Sequence, residues 1–338
     1  MQPGTTVVIT GASAGVGRAT ALAFARRGYQ VGLIARDKER LEATRQEIEA
    51  LGGTAVWVAA DVADPAAVEE AASRFEETLG FIDIWVNSAM VTLFSPVADI
   101  SPEEFRQVID VTLMGQVWGT MAALRRMRRR GRGTIVQVGS ALAWRAIPLQ
   151  SAYCAAKHGV RAFTDSLRSE LLHDGLDIRL TMVQLPAVNT PQFDWARNHL
   201  PSRLRPVPPI FQPEVAAEAI VRAAETTPRE LWVGSSSLAA IVASLFLGSF
   251  LDRKLAGFGY SGQLTGEPVE PGQPGNLFAP VPGLVGSHGR FDRQAKRRAI
   301  SLSQTTVERA ILGGIAGLAV AALGLGGRAM LRRVAKTG

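Results

Sequence analysis

The chain opens with a short apolar strand that runs straight into a glycine turn and then a helix. This order constrains the fold more than any other feature. Thr6-Val7-Val8-Ile9-Thr10 is β-branched throughout, which suits a parallel strand buried on both faces. Gly11-Ala12-Ser13-Ala14-Gly15-Val16-Gly17 follows at once, and Arg18 to Arg27 is an alanine-rich run of helical character that Gly28 stops. Gly11 permits the tight turn. Gly15 and Gly17 let backbone approach a pyrophosphate and the helix, whose free amides and positive dipole end favour an anion. Ser13 and Val16, inside the turn, complete the candidate phosphate-binding set. A glycine turn with no ligand is the plain alternative, but a strand before and a helix after is the context that phosphate binding requires.

A second strand, Gln30 to Ala35, ends where such folds choose between nicotinamide cofactors. An acid there binds a ribose hydroxyl, whereas an arginine accommodates a 2′-phosphate. Ala35 holds the acidic position, Arg36 comes next, and Asp37 reads as the N-cap of the following helix. The reading is NADP(H) in preference to NAD(H). Further strands are expected near 54–59, 82–86, 133–139, 177–184 and 230–233, with helices near 38–51, 65–79, 101–130, 151–173 and 213–226. This alternation implies an α/β fold: a doubly wound parallel sheet with helices on both faces.

Tyr153 and Lys157 lie about one helical turn apart, so they share a helix face. A free phenol titrates near about 10, and a neighbouring ammonium lowers that value by favouring the phenolate. A phenol tuned this way can trade a proton with a carbonyl or alcohol oxygen. Ser140, just past a predicted strand, is placed to hold the same oxygen. Alone, the spacing is weak evidence, because most such pairs are ordinary helix-surface neighbours.

Taken together, Thr10 to Gly17, Ser140 and Tyr153-Cys154-Ala155-Ala156-Lys157 resemble the short-chain dehydrogenase/reductase family, over roughly residues 4 to 235. Asp61-Val62 resembles the segment touching the adenine ring. Asn87-Ser88-Ala89 resembles the turn after the fourth strand, and Pro186 and Thr190 the segment holding the nicotinamide carboxamide. The resemblance implies Tyr153 as general acid/base, Lys157 lowering its pKa and binding the nicotinamide ribose, and Ser140 orienting the substrate. Three departures stand out: Thr112 where the family has a proton-relay Asn, and Met90 and Ala187 where it has glycines. The implied activity is hydride transfer between nicotinamide and a small carbonyl or alcohol substrate. A low-turnover NADP(H)-binding regulator or scaffold is the reading from a different class, motivated by Thr112, Met90 and the long tail.

The chain has 338 residues and one cysteine, Cys154, so no intrachain disulfide forms and a reducing compartment is expected. No secretory signal precedes the first strand, which points to a cytoplasmic catalytic domain. The four histidines show no metal spacing. The net charge of +7 is partly local to Arg125–Arg132, which closes a predicted helix. No nucleic-acid module accompanies that run, so no nucleic-acid partner is expected. Residues 186–213 are rich in proline, with Phe193, Trp195 and Phe211 between, and read either as the cover of an apolar substrate cleft or as a stiff loop packing its own aromatics. The catalytic domain is drawn at 1–235 and an extension with a Gly/Pro-rich arm at 236–300. Within it, Leu238–Leu251 is too short to span a bilayer, and either packs on the domain, forms a subunit contact or rests on a membrane. At 306–330 a membrane-anchoring helix is expected, because Ala310 to Gly327 carries no polar side chain and arginines bracket it; an apolar helix docked on the enzyme or on a partner subunit is the alternative. A lipophilic substrate accompanies the anchored reading, and the family resemblance implies a homo-oligomer.

Overall fold

A computed structural model describes residues 4–312, apart from 271, 284 and 311. Its centre is an eight-stranded sheet in the order β8-β7-β6-β5-β4-β1-β2-β3. The strands are β1 (Thr6–Thr10), β2 (Gln30–Ala35), β3 (Thr54–Ala59), β4 (Ile82–Asn87), β5 (Arg132–Val138), β6 (Asp177–Gln184), β7 (Glu230–Val233) and β8 (Ser301–Ser303). All neighbours are parallel except β8, which adds antiparallel to β7 at the edge. Residues of β1 are buried throughout, as a strand covered on both faces requires.

Helices α1 (Gly15–Ala25), α2 (Lys38–Ala50) and α7 (Pro213–Thr226) cover one face; Phe24, Leu41, Ile48 and Ile220 fill that core. Helices α3 (Pro65–Leu79), α4 (Pro102–Ile109), α5 (Gly115–Arg130) and α6 (Ser151–His173) cover the other, around Phe75, Trp85, Met127 and Leu167. Chain order reverses between β1 and β4, and a crevice opens there at the carboxyl ends of the strands.

The stretch expected as one helix over 101–130 begins as its sequence dictates, with a capping box between Ser101 and Glu104 and Pro102 in the first turn. It is interrupted by a π-helical turn, Asp110–Met114. The arginine run at the end of α5 is tied down locally: Arg125 and Arg126 pair with Glu69, Arg128 with Asp174, Arg129 with Glu76 and Arg130 with Asp83.

Residues 236–303 wrap the sheet rather than trail from it. Helices α8 (Ser235–Phe246) and α9 (Gly248–Ser261) lead to Leu264–Pro268, which pairs antiparallel with Ser202–Leu204 of the Pro-rich loop. An irregular arm then crosses the carboxyl-end crevice, and the chain returns to the opposite edge as β8. No helix among the described residues is long and apolar enough to cross a membrane. The anchoring helix expected at 306–330 falls almost wholly outside the described residues, of which 304–310 and 312 are helical.

Candidate active site

One cleft of about 520 Å³ collects almost every residue singled out from the sequence. Gly11, Ser13, Gly15, Val16, Gly17, Arg36, Asp61, Val62, Ala89, Ser140, Tyr153, Lys157, Pro186 and Thr190 all line it.

The glycine turn has the shape a dinucleotide needs. Gly11 holds φ +72°, and a Cβ there would meet the Ala89 backbone at 2.8 Å. A Cβ on Gly17 would stand 2.1 Å from the Gly11 carbonyl oxygen, so β1 and α1 pack at a distance only glycine allows. No side chain caps the start of α1, and no acid stands in its first turn. Its dipole therefore suits a pyrophosphate, although the first amide, the Gly15 N–H, already donates to Gly286 O at 3.3 Å. Across the cleft, Thr190 Cγ2 lies 3.3 Å from where a Gly15 Cβ would be, so the turn and the Pro186–Thr190 segment face each other closely.

Asp37 caps α2, accepting from the Arg40 N–H at 3.0 Å, and its carboxylate also pairs with the Arg40 guanidinium at 3.2 Å, while Ala35 ends β2. Arg36 lies 3.9 Å from Asp61 and also donates to the carbonyl oxygens of Asn276 at 2.7 Å and Phe278 at 3.0 Å. Arg40, which the sequence reading passed over, donates to the carbonyls of Gly283, at 2.8 Å, and Val281. Its guanidinium stacks 4.8 Å from the Trp195 ring centroid. Arg18 donates to Val285 O at 2.9 Å, and Gly286 O accepts from the Gly15 N–H at 3.3 Å. Through Asn276, Phe278, Val281, Gly283, Val285 and Gly286 the arm thus roofs the Arg36–Arg40 end of the crevice. One turn separates Arg36 from Arg40, a signal the sequence did carry; nothing in the Gly/Pro-rich arm foretold where it would lie.

At the other end stand Ser140, Tyr153 and Lys157. Ser140 ends the loop after β5, its Oγ accepting from the Leu142 N–H at 3.1 Å. Tyr153 and Lys157 project from the first turns of α6. Lys157 is fully buried; its Nζ donates to Val138 O at 2.7 Å and lies 5.7 Å from the Tyr153 ring centroid. Here the sequence expectation needs correction. The Tyr153 pKa is raised, because burial outweighs the opposing hydrogen bond with Ser140. Burial also lowers Lys157 to about 7, so its ammonium is itself weakened as a partner for the phenolate.

One placement differs from the sequence reading, and two others are filled in. Asn87 does not line the cleft. It lies a layer beneath, accepting from Trp85 Nε1 at 2.8 Å and donating to Thr120 Oγ1 and Gln137 Oε1, each at 3.0 Å. Thr112 is fully buried in the π turn; its hydroxyl donates to Val91 O at 2.8 Å and accepts from the Val91 N–H at 3.0 Å. Phe193 and Trp195 line the cleft while Phe211 is core, so the Pro-rich loop both covers the site and packs its own aromatics. The extension adds Ser236, Ser237, Ala240, Leu251 and Leu255 to the cleft wall. Cys154 is buried, and its thiol is pushed up to about 11 by burial. Among the described residues no group of His, Cys, Asp and Glu could hold a metal.

Comparison with known proteins agrees with this geometry. The family model for short chain dehydrogenase matches residues 5–200. The uncharacterized oxidoreductase YxnA of Bacillus subtilis is 31% identical over 318 residues, taking in 92% of this chain and 88% of that one. A match of that length cannot avoid the arm. Dehydrogenase/reductase SDR family member 7B of Bos taurus is 35% identical over 190 residues, 54% of this chain and 58% of that one. Among solved structures, an alcohol dehydrogenase from the archaeon Thermococcus sibiricus, complexed with 5-hydroxy-NADP, has a TM-score of 0.58 at 30% identity and covers 68% of this chain and 95% of its own. Nearly all of that neighbour is matched by two thirds of this chain, so much of the remaining third is added to a shared core. With its strand order, glycine turn and Ser-Tyr-Lys cleft, the chain belongs to the short chain dehydrogenase family of oxidoreductases.

Proposed function

We propose that the protein is an NADP(H)-dependent carbonyl reductase, or the reverse alcohol dehydrogenase, acting on a substrate with an apolar body. One observation carries this reading: Ser140, Tyr153 and Lys157 share a single cleft with the glycine turn and Arg36. The bound cofactor supplies the hydride. The chain does the rest. The first-turn amides of α1 take the pyrophosphate, and Arg36 and Arg40, with Ala35 rather than an acid at the end of β2, favour the extra 2′-phosphate. Ser140 orients the substrate oxygen, and the Tyr153 hydroxyl gives it a proton as the carbon is reduced. A phenol is protonated at neutral pH and serves that reducing direction. Phe94, Phe193, Leu251 and Leu255 furnish apolar contact for the substrate body. Membrane anchoring through 310–327 rests on the sequence alone.

The test is consumption of NADPH, followed by nicotinamide absorbance, with a panel of apolar ketones. Tyr153→Phe is expected to lower kcat by about 100-fold or more while leaving cofactor affinity within about threefold. Full activity in that variant would defeat the assigned mechanism.

A further inference from the structure

The Pro-rich loop that covers the cleft is tied down from outside it. Leu93–Phe94 pairs in parallel with Arg197–Asn198, and the His199 N–H donates to Phe94 O at 2.9 Å. Phe94 and Phe193, both on the cleft wall, stand with ring centroids 6.2 Å apart. Arg197 and His199 share one face of the extended stretch that follows, because side chains alternate along a strand. Both reach the same oxygen of Glu104 on α4: Arg197 Nε donates to Oε1 at 2.7 Å and His199 Nε2 at 3.0 Å. None of these three side chains lines the cleft.

Capping α4 does not account for Glu104. Its Oε2 accepts from the Ser101 N–H at 3.3 Å and closes the capping box, which a glutamine would do equally well. Its Oε1 has no part in the cap and serves the loop. The residue is 5% exposed, where an unpaired carboxylate would be costly, so it needs the guanidinium. Burial opposes its charge, yet the hydrogen bonds from Arg197 and His199 outweigh burial and hold the carboxyl below its usual range. Among the described residues Glu104 is the only acid that Arg197 or His199 meets. Helix α4 in turn packs against α6, which carries Tyr153 and Lys157. One carboxylate thus ties the loop to a neighbour of the catalytic helix.

We propose that Glu104 is a positioning residue for the substrate: by holding Arg197 and His199 it sets how closely Phe193 approaches Phe94, and so how much of an apolar chain the loop covers. This names what selects for chain length in the oxidoreductase reading above and rests on it. Glu104 touches neither substrate nor cofactor and acts through the loop backbone. Bonds between charged partners are roughly twice as strong as neutral ones, so removing the charge loosens the tie while the loop keeps its own packing.

The experiment compares the full chain with Glu104→Gln and Arg197→Gln. Methyl ketones from 2-butanone to 2-decanone are offered with NADPH, and amide hydrogen exchange of the loop is followed without substrate. Glutamine at 104 keeps the capping box, and the change at Arg197 leaves α4 untouched, so a lost helix start explains neither phenotype. In the wild type kcat/KM is expected to climb with chain length as methylenes enter apolar surface. In each variant KM for 2-decanone should rise about tenfold with kcat within about twofold, while both constants for 2-butanone stay within about twofold. The double variant should lose little more than either single one, because both remove the same bond. Residues 193–204 should exchange at least about tenfold faster in both variants, and α6 no faster. Unchanged exchange in the variants, or a chain-length dependence equal to that of the wild type, overturns the proposal. Faster exchange in the variants, with no ketone turned over by the wild type, supports the tie and sinks the oxidoreductase reading. Turnover of 2-decanone that the variants leave unchanged does the reverse.

Discussion

An ammonium shielded from water, as at Lys157, costs the folded chain stability while it is protonated. Burial lowers its pKa to about 7 from the ordinary lysine value of 10.5. Between those values the unfolded chain holds a proton that the folded chain lacks, so this contribution makes stability rise with pH. Below about pH 7 both states are protonated and the full penalty remains. Lys157→Met is therefore expected to be more stable than wild type by ~4 kcal/mol at pH 7, the gap closing toward pH 10. Urea unfolding of both proteins at three pH values checks it, and a gap that stays flat would show that burial is not the cause. Activity in the same variant should fall by about 100-fold or more, the usual scale of a lost acid–base partner. Arg36 is a second test at this scale. Arg36→Ala loses the arm contact and, on the proposed reading, a 2′-phosphate partner, so its effects on NADPH and NADH should differ. NADPH affinity is expected to fall at least about tenfold more than NADH affinity. Equal losses would assign Arg36 to holding the arm alone.

At the scale of elements, most of the fold was legible from local chemistry. Pro65–Leu79, Ser151–His173 and Pro213–Thr226 begin and end where the sequence reading drew them, and so do β6 and β7. Asp64 caps α3 before a proline, which marks its start. The π turn between α4 and α5 was not legible, because apolar periodicity does not distinguish one turn type from another over five residues. Its content is Thr112, whose hydroxyl serves both backbone groups of Val91. Thr112→Val would leave those buried groups unpaired and is expected to cost ~2 kcal/mol in urea unfolding. The cleft wall does not include Thr112, so kcat should stay within about threefold. A large loss of kcat with stability intact would instead put Thr112 in the proton path.

On the scale of the whole molecule, the arm joins parts of the chain that are remote in sequence. Leu277 is buried under α4, where Gln107 donates to its carbonyl at 3.2 Å. Beyond the crevice, Asn189 accepts from the Gly289 N–H at 3.2 Å and, through its side chain, from the Phe291 N–H at 3.0 Å. Between these ties the arm is held by Arg18, Arg36 and Arg40. A guanidinium has five donors, so Arg36 can hold a 2′-phosphate and keep its two carbonyl partners. NADPH is therefore expected to slow amide hydrogen exchange across residues 276–291, with NADH slowing it less. Faster exchange of that segment with NADPH would mean that cofactor and arm compete for the same arginines.

What the sequence by itself determined was local: the order of strand, glycine turn and helix, the Tyr153–Lys157 spacing, and an alanine rather than an acid at the end of β2. Each depends on neighbours within a few residues, where backbone sterics and helical period decide the outcome. Only the tertiary structure decided the rest. It buried Lys157 and part of Tyr153, placed Asn87 beneath the cleft, and laid the arm across Arg36 and Arg40. Burial and long-range contact depend on which surfaces meet once the sheet is wound, and no short window of sequence carries that information.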